Sequence, residues 1–385
     1  MTPAARVQAG AEILDAILAG EPAEKALTQW ARRSRFAGSK DRAAVRDHVY
    51  DVLRRRASCG ARGGGCSGRA LMLGLLRQQG VDPDEIFTGQ GHAPAPLNPA
   101  ERAAGNETEP YDLPAWIVPR FQDALAEDFA RTARALRERA PVMLRVNARK
   151  GGRDAAIGAL ARDGIEAHPC DIAETALRVT AGARRVKLSH PYADGRVELQ
   201  DGSSQAAMSR LDLSGVARVL DFCAGGGGKS LALAARSAAQ IVAHDAMPRR
   251  MADLPARAAR AGAQITLAGL DEAVAAGPFD LVVCDVPCSG SGTWRRTPDA
   301  KWRLTEADLG ALLRTQDGIL DQAAGCVAPG GLLAYMTCSV LREENEARVA
   351  EFMTRHPDWR MTESTRWPVS DAGDGFFLAQ LRRDR

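Results

Sequence analysis

Absences narrow this 385-residue chain before any motif does. No hydrophobic run approaches the length of a membrane span, which argues against a helical membrane protein. Met1-Thr2-Pro3 leads into an amphipathic stretch and not into a basic segment followed by an apolar core. The expectation is therefore a cytoplasmic protein whose eight cysteines stay reduced, with no membrane partner. Charge of one sign is not in excess: 51 Lys/Arg stand against 48 Asp/Glu, and a net +3 says little about partners. Internal repeats are missing. So is any Cys/His set at metal-ligand spacing, because Cys284 with Cys288, and Cys59 with Cys66, have no matching second pair. No metal is expected.

What is present is ordinary in bulk and uneven in detail. A hydrophobic content of 45% and a charged content of 26% suit a soluble globular protein, and the length allows two or three domains with a large core. Residues 1–70 hold thirteen Lys/Arg and seven Asp/Glu, so the rest of the chain is slightly acidic. Stripes at Ile13, Leu14, Ile17 and Leu18, and at Val45, Val49, Val52 and Leu53, predict helices. Beside them lie Arg32, Arg33, Arg35, Lys40, Arg42 and the run Arg54-Arg55-Arg56. Such clustering suits either a solvated face or an RNA-phosphate contact.

Residues 1–80 are thus expected to be a helical, candidate RNA-binding region. Residues 81–119, with Pro83, Pro94, Pro96, Pro99, Pro110, Pro114 and Pro119, read as a linker or irregular wrap. Residues 120–205 read as a small α+β module, with strands near 142–147, 164–168, 177–180 and 196–200 and helices over 120–138 and 153–163. Over 206–385 strands and helices alternate, which predicts an α/β doubly wound, mostly parallel sheet. Its strands are VARVLDF, IVAHD, short runs near 264–267 and 280–285, and LLAYMTC. A helix over 305–325 is expected to close at Pro329-Gly330-Gly331.

DFCAGGGGKS at 221–230 follows a strand and opens a helix, where glycine lets the backbone turn sharply and approach a ligand at free N–H groups. Three ligands compete for it. A nucleotide-phosphate loop is matched by Gly228-Lys229-Ser230, but Cys223 stands where its first glycine belongs. A nicotinamide fingerprint fits loosely. S-adenosylmethionine needs the glycine turn plus a carboxylate after the next strand to hold ribose hydroxyls, and Asp245, ending IVAHD, sits at that distance.

Two thiols follow apolar strands beside turn residues: Cys288 in DVPCSGSG, just after Asp285, and Cys338 in YMTCSV. Cys284, Cys326 and Cys170 read as small buried hydrophobes. Ligands of a parallel sheet lie outside the carboxyl ends of its strands, so neighbouring strands would bring Asp285, Cys288 and Cys338 to one crevice. A helix opening near Leu341 would favour thiolate there. A thiolate beside a methyl donor suggests pyrimidine carbon-5 chemistry. Thiolate addition at carbon 6 makes carbon 5 nucleophilic, an acid serves N3, and a base then removes the carbon-5 proton before elimination.

DFCAGGGGKS, DVPCSGSGTWRR, TCSVLREENE and, upstream, LQDGSSQ resemble the motif set of the Sun/Fmu family of RNA (cytosine-5) methyltransferases, which includes bacterial 16S ribosomal RNA enzymes. The likeness covers roughly 110–385. It implies a Rossmann-like S-adenosylmethionine-dependent methyltransferase fold behind an RNA-recognition-like module and a helical region. It implies S-adenosyl-L-methionine as cofactor, held by Cys223, Ala224, Gly225, Gly226, Gly227, Gly228, Lys229, Asp245, Asp271 and Asp285. By the same resemblance Cys338 is the nucleophile, Cys288 assists elimination and product release, and Asp285 serves the base. The family usually has Ala-Pro where this chain has Gly225-Gly226, which loosens the loop. A DNA-type enzyme would instead attack with Cys288, and the TCS motif favours RNA.

The implied partner is ribosomal RNA in preference to tRNA, and the protein is expected to act as a monomer. Alternatives are a tRNA cytosine-5 methyltransferase, a non-catalytic RNA-binding assembly factor and a phosphate-loop NTPase. Arg295, Arg296 and Lys301 are expected on a solvated loop or against RNA phosphate, and Trp294 and Trp302 in packing.

Overall fold

The computed structural model describes residues 1–105 and 111–384, so Pro110 and the rest of 106–110 lie outside the described residues. The chain divides into two compact units. The first comprises Met1–Pro119, Glu127–Arg139 and Trp294–Arg303; the second comprises Arg120–Ala126, Ala140–Thr293 and Leu304–Arg385.

The first unit is helical. Its helices are Pro3–Leu18, Ala23–Arg33, Ser39–Arg54, Arg56–Gly63 and Gly68–Gln78. Thr2 caps the first through Ala5 N–H with Pro3 in its opening turn, and Ser67 caps the last through Ala70 N–H. Ile13, Leu14, Val45, Val49, Val52 and Leu53 are buried together with Leu71 and Met72. Phe87 and Leu97, from the expected linker, pack into the same core. That segment is a wrap that contributes to the core, not a free tether.

Part of the basic cluster behaves differently from expectation. Arg32, Arg33, Arg35, Lys40 and Arg42 are exposed, but Arg54 is buried. Arg295 and Lys301, expected on an open loop, are 2% and 1% exposed. Lys301 Nζ donates to the carbonyls of Arg54 (2.8 Å) and Asp112 (2.7 Å), and Arg54 Nε donates to the Arg295 carbonyl (2.8 Å). Buried polar groups require partners, and Lys301 and Arg54 satisfy main-chain carbonyls within the unit. They do not face phosphate. Trp294 is fully buried, as expected, and Trp302 Nε1 donates to the Leu53 carbonyl.

The second unit holds two sheets. The smaller is antiparallel in the order β2-β3-β1-β4, with β1 Val142–Val146, β2 Glu166–Pro169, β3 Ala176–Ala181 and β4 Val197–Leu199. Helix Arg153–Arg162 covers it through Ala156 and Leu160. The larger sheet has seven strands: β5 Arg218–Asp221, β6 Gln240–Ala243, β7 Ile265–Leu267, β8 Phe279–Asp285, β9 Val327–Thr337, β10 Trp359–Trp367 and β11 Phe376–Arg383. Their order is β10-β11-β9-β8-β5-β6-β7, and the five from β9 to β7 are parallel. The expected doubly wound sheet is therefore present.

Its centre is buried on both faces, which explains the near-continuous apolar runs in β8 and β9. Phe279, Val282 and Cys284 pack to one side with Leu320 and Phe352, while Leu281 and Val283 pack to the other with Met208 and Leu233. Cys284 and Cys326 are buried as expected, whereas Cys170 is half-buried.

Two features depart from the sequence pattern. β9 begins at Val327, so Pro329-Gly330-Gly331 lies inside the strand, and a register shift between Phe279 and Leu281 absorbs the extra residues. The β10–β11 hairpin, whose β11 pairs antiparallel with β9, went unforeseen because Arg360, Glu363 and Arg366 hide its pattern.

Candidate active site

The chain runs from β5 outward through β6 to β7, then returns to β8 and continues to β9, so the winding reverses between β5 and β8. A crevice opens outside the carboxyl ends of strands at such a point. The ends of β5, β8 and β9 carry Asp221 with the glycine loop, Asp285 with Cys288, and Cys338. Pairing of Asp285 with Met336 sets the ends of β8 and β9 level.

The glycine loop is shaped by conformations that side chains resist. Gly225 and Gly227 have φ of +51° and +79°, and a Cβ on Gly227 would lie 2.1 Å from Leu254 Cδ1. The buried carboxylate of Asp245 fixes the loop: Oδ2 accepts from Gly225 N (2.9 Å) and Oδ1 from Met247 N (2.8 Å). Cys223 packs its side chain against one face of the sheet, and burial pushes its thiol up; Ala224 packs with Leu231 and Leu254. Gly228 opens helix Gly228–Arg236.

Lys229 does not turn into the loop. Its Nζ lies 2.5 Å from Asp285 Oδ2 and over the Phe376 ring. Burial opposes its charge, but Asp285, with Asp221 and Cys338 nearby, outweighs burial and holds the ammonium above its ordinary range. A phosphate loop needs that lysine at the phosphates, so the NTPase reading loses its key residue. Beneath the pair, Asp221 is fully buried. Ser230 Oγ donates to its Oδ2 (2.6 Å), Oδ1 has no partner, and burial pushes this carboxyl up to about 6.

The two thiols meet. Cys288 Sγ and Cys338 Sγ are 3.4 Å apart, and both residues are half-buried. The hydrogen bond with Cys338, reinforced by burial, pushes the Cys288 thiol well up, so Cys288 keeps its proton. This reverses the expectation of a thiolate-favouring setting for Cys288. The expected helix is also displaced: Arg342–Glu344 is a 3-10 turn and the α-helix runs Glu346–Arg355.

A buttress that sequence reasoning missed holds both cysteine loops. Glu344, fully buried, accepts from Ser289 N (2.7 Å), Ser289 Oγ (2.5 Å) and Gln316 Nε2 (3.1 Å). Ser291 Oγ and Ser339 Oγ are 2.9 Å apart, and Tyr335 OH donates to the Glu344 carbonyl. In the run Arg342-Glu343-Glu344 nothing marks the second glutamate as interior. The serines flanking each cysteine were the available signal.

Asp271 stands apart. It is exposed in the first turn of helix Leu270–Ala275, after β7, two strands from β5. The structure thus gathers Gly225–Lys229, Asp245, Asp285, Cys288 and Cys338 and leaves Asp271 on the far side of β6.

A family model described as 16S rRNA methyltransferase RsmB/F matches residues 208–382, and one for the ferredoxin-like domain of RsmF/B-like methyltransferases matches residues 113–187. Ribosomal RNA small subunit methyltransferase B of Klebsiella pneumoniae is 33% identical over 290 residues, 71% of this chain and 67% of that one. The chain belongs to the RsmB/F methyltransferase family. The same-named protein of Salmonella arizonae is 34% identical over 282 residues, 70% of this chain and 66% of that relative's length. The crystal structure of PH0851 aligns over 100% of this chain and 99% of that one, with a TM-score of 0.75 and 23% identity. A methyltransferase homolog from Pyrococcus horikoshii aligns over 69% and 93%, with a TM-score of 0.59 and 23% identity. The expected fold class, the S-adenosylmethionine-dependent methyltransferase sheet behind a small α+β module, agrees with these likenesses. S-adenosyl-L-methionine is accordingly the cofactor.

The loop fits that cofactor. The atoms nearest a Cβ on Gly225 or Gly226 would be the flexible arginine tips of Arg250 or Arg257, so the backbone stands open to a close-lying ligand. Gly225–Gly228 and Asp245 are the residues that would hold it. Among the described residues, no helix is long and apolar enough to cross a membrane.

Proposed function

We propose that this chain methylates carbon 5 of a cytosine in RNA, ribosomal RNA in preference to tRNA, with Cys338 as nucleophile. The observation that carries the reading is the approach of two thiols to 3.4 Å at strand ends level with Asp285. When bound, S-adenosyl-L-methionine supplies an electrophilic methyl group.

The chain's own residues account for the remaining steps. Lys229 is held positive beside Asp285 while the Cys338 sulfur adds to carbon 6. Negative charge then grows toward N3. The Lys229–Asp285 pair presents a carboxylate to the cytosine amino group and an ammonium proton to the developing charge. After methyl transfer the carbon-5 proton must leave and the carbon–sulfur bond must break. As the bond breaks, Cys288 gives its proton to the departing Cys338 sulfur, and the Cys288 thiolate so formed takes the carbon-5 proton, which restores the Cys288 thiol. Asp245, besides its part in holding the cofactor, fixes Gly225 and Met247.

The rRNA preference rests on the family and on the names of the relatives. An RNA-binding assembly factor would need none of the Cys288–Cys338–Asp285–Lys229 chemistry. The test is incubation with methyl-labelled cofactor and unmodified 16S rRNA or tRNA transcripts. Label should enter the rRNA as 5-methylcytosine. Cys338→Ala should abolish incorporation, and Cys288→Ala should accumulate a protein–RNA adduct that survives denaturing electrophoresis. The reverse pattern would overturn the nucleophile assignment, and no label in either RNA would favour the assembly factor.

A further inference from the structure

Four consecutive glycines have more conformational freedom to lose than any other tetrad, so a loop of this composition needs outside restraint before it presents one shape to a ligand. The restraint comes partly from the small sheet. Glu198 on β4 is buried and accepts from Arg257 Nη2 (2.9 Å) and Arg260 Nη2 (2.5 Å). Arg257, so anchored, donates from its other Nη to the Gly226 carbonyl. Across the ladder from Glu198, Arg145 on β1 donates from Nη1 to the Gly228 carbonyl (2.8 Å) and to Gln200 Oε1 (2.5 Å), and Gln200 Nε2 reaches the same carbonyl (3.3 Å). The two carbonyls flank Gly227, the residue with φ +79°.

We propose that Arg257, with Arg145 and Gln200, is a positioning clasp that sets the Gly226–Gly228 backbone for the cofactor. Arg145 is 5% exposed with its Nε unpartnered. Keeping a guanidinium there is costly unless its donors hold something specific. The clasp joins β1 and β4 of the small sheet to the loop, so displacement of that sheet alters cofactor affinity. The inference rests on the glycine loop being the cofactor site.

Titration calorimetry with S-adenosyl-L-methionine and steady-state kinetics test it. Arg257→Ala should weaken binding and raise the cofactor KM by about tenfold, the worth of one charged hydrogen bond, with kcat at saturating cofactor unchanged. Arg260→Ala removes the other arginine from Glu198 without touching the loop and should leave both values in place. Gln200→Met should weaken binding less than Arg257→Ala and carries the test alone if that variant does not fold. Equal losses in Arg257→Ala and Arg260→Ala would overturn the clasp in favour of general docking of the small sheet. Unchanged affinity in Arg257→Ala, or in Gln200→Met standing alone, would also overturn it. Failure of the unaltered chain to bind S-adenosyl-L-methionine would instead overturn the cofactor reading, and the clasp with it.

Discussion

Lys229 in one unit is half-buried and Lys301 in the other is fully buried, and the two carry opposite electrostatics. Lys229 sits against a carboxylate at the end of β8 and is held charged above its ordinary range. Lys301 sits in the helical unit against two carbonyls; burial pushes it down to about 7, with Asp112 pulling up and Arg137 and Arg54 pushing down. Burial alone therefore does not say what a cation is for. The partner decides: a carboxylate keeps a proton available for chemistry, whereas carbonyls consume donors to close a packed segment.

The largest break in this comparison is Lys229→Met. It leaves Asp285 without its counter-charge, and methyl transfer should fall by about a hundredfold or more in single-turnover assays while the fold survives. A loss below tenfold would make Lys229 a packing residue like Lys301.

Lys301 gives the next effect. Its folded-state value near 7 lies below the ordinary 10.5, so between those values the unfolded chain binds the extra proton. Stability of the helical unit should then rise with pH, by about 1.4 kcal/mol per unit at most. Lys301→Met should flatten that slope in urea titrations from pH 7 to pH 10. An equal slope in both proteins would remove Lys301 as its source.

The smallest effect belongs to Asp221. Its folded value near 6 exceeds the ordinary 3.8, so the folded state holds the extra proton between them and stability falls as pH rises through that window. Asp221→Asn should remove the decline, read by thermal melts at pH 4 and pH 6. A variant that still loses stability over that range would assign the decline to another carboxyl.

Much of the site was legible because strand–loop–helix grammar is local. The apolar runs of β5 and β8 end in Asp221 and Asp285, Cys338 directly follows β9, and ligands of a parallel sheet lie outside such strand ends. Asp245 was legible by spacing, although its carboxylate serves the loop backbone first. Glu344 was not legible, since a glutamate among charged neighbours is buried only by what folds over it. The burial of Arg295 and Lys301 was equally hidden, because their partners, Arg54 and Asp112, are some two hundred residues away in sequence.

The sequence by itself determined the class of sheet, the glycine turn, and which thiols and carboxylate follow strands, because period, glycine content and strand termini are properties of short segments. The tertiary structure alone decided that the thiols touch, that Lys229 serves Asp285 and not a phosphate, and that Arg145, Gln200 and Arg257 reach the loop. Those facts depend on which strands become neighbours, and neighbour choice is settled by burying two sheet faces at once.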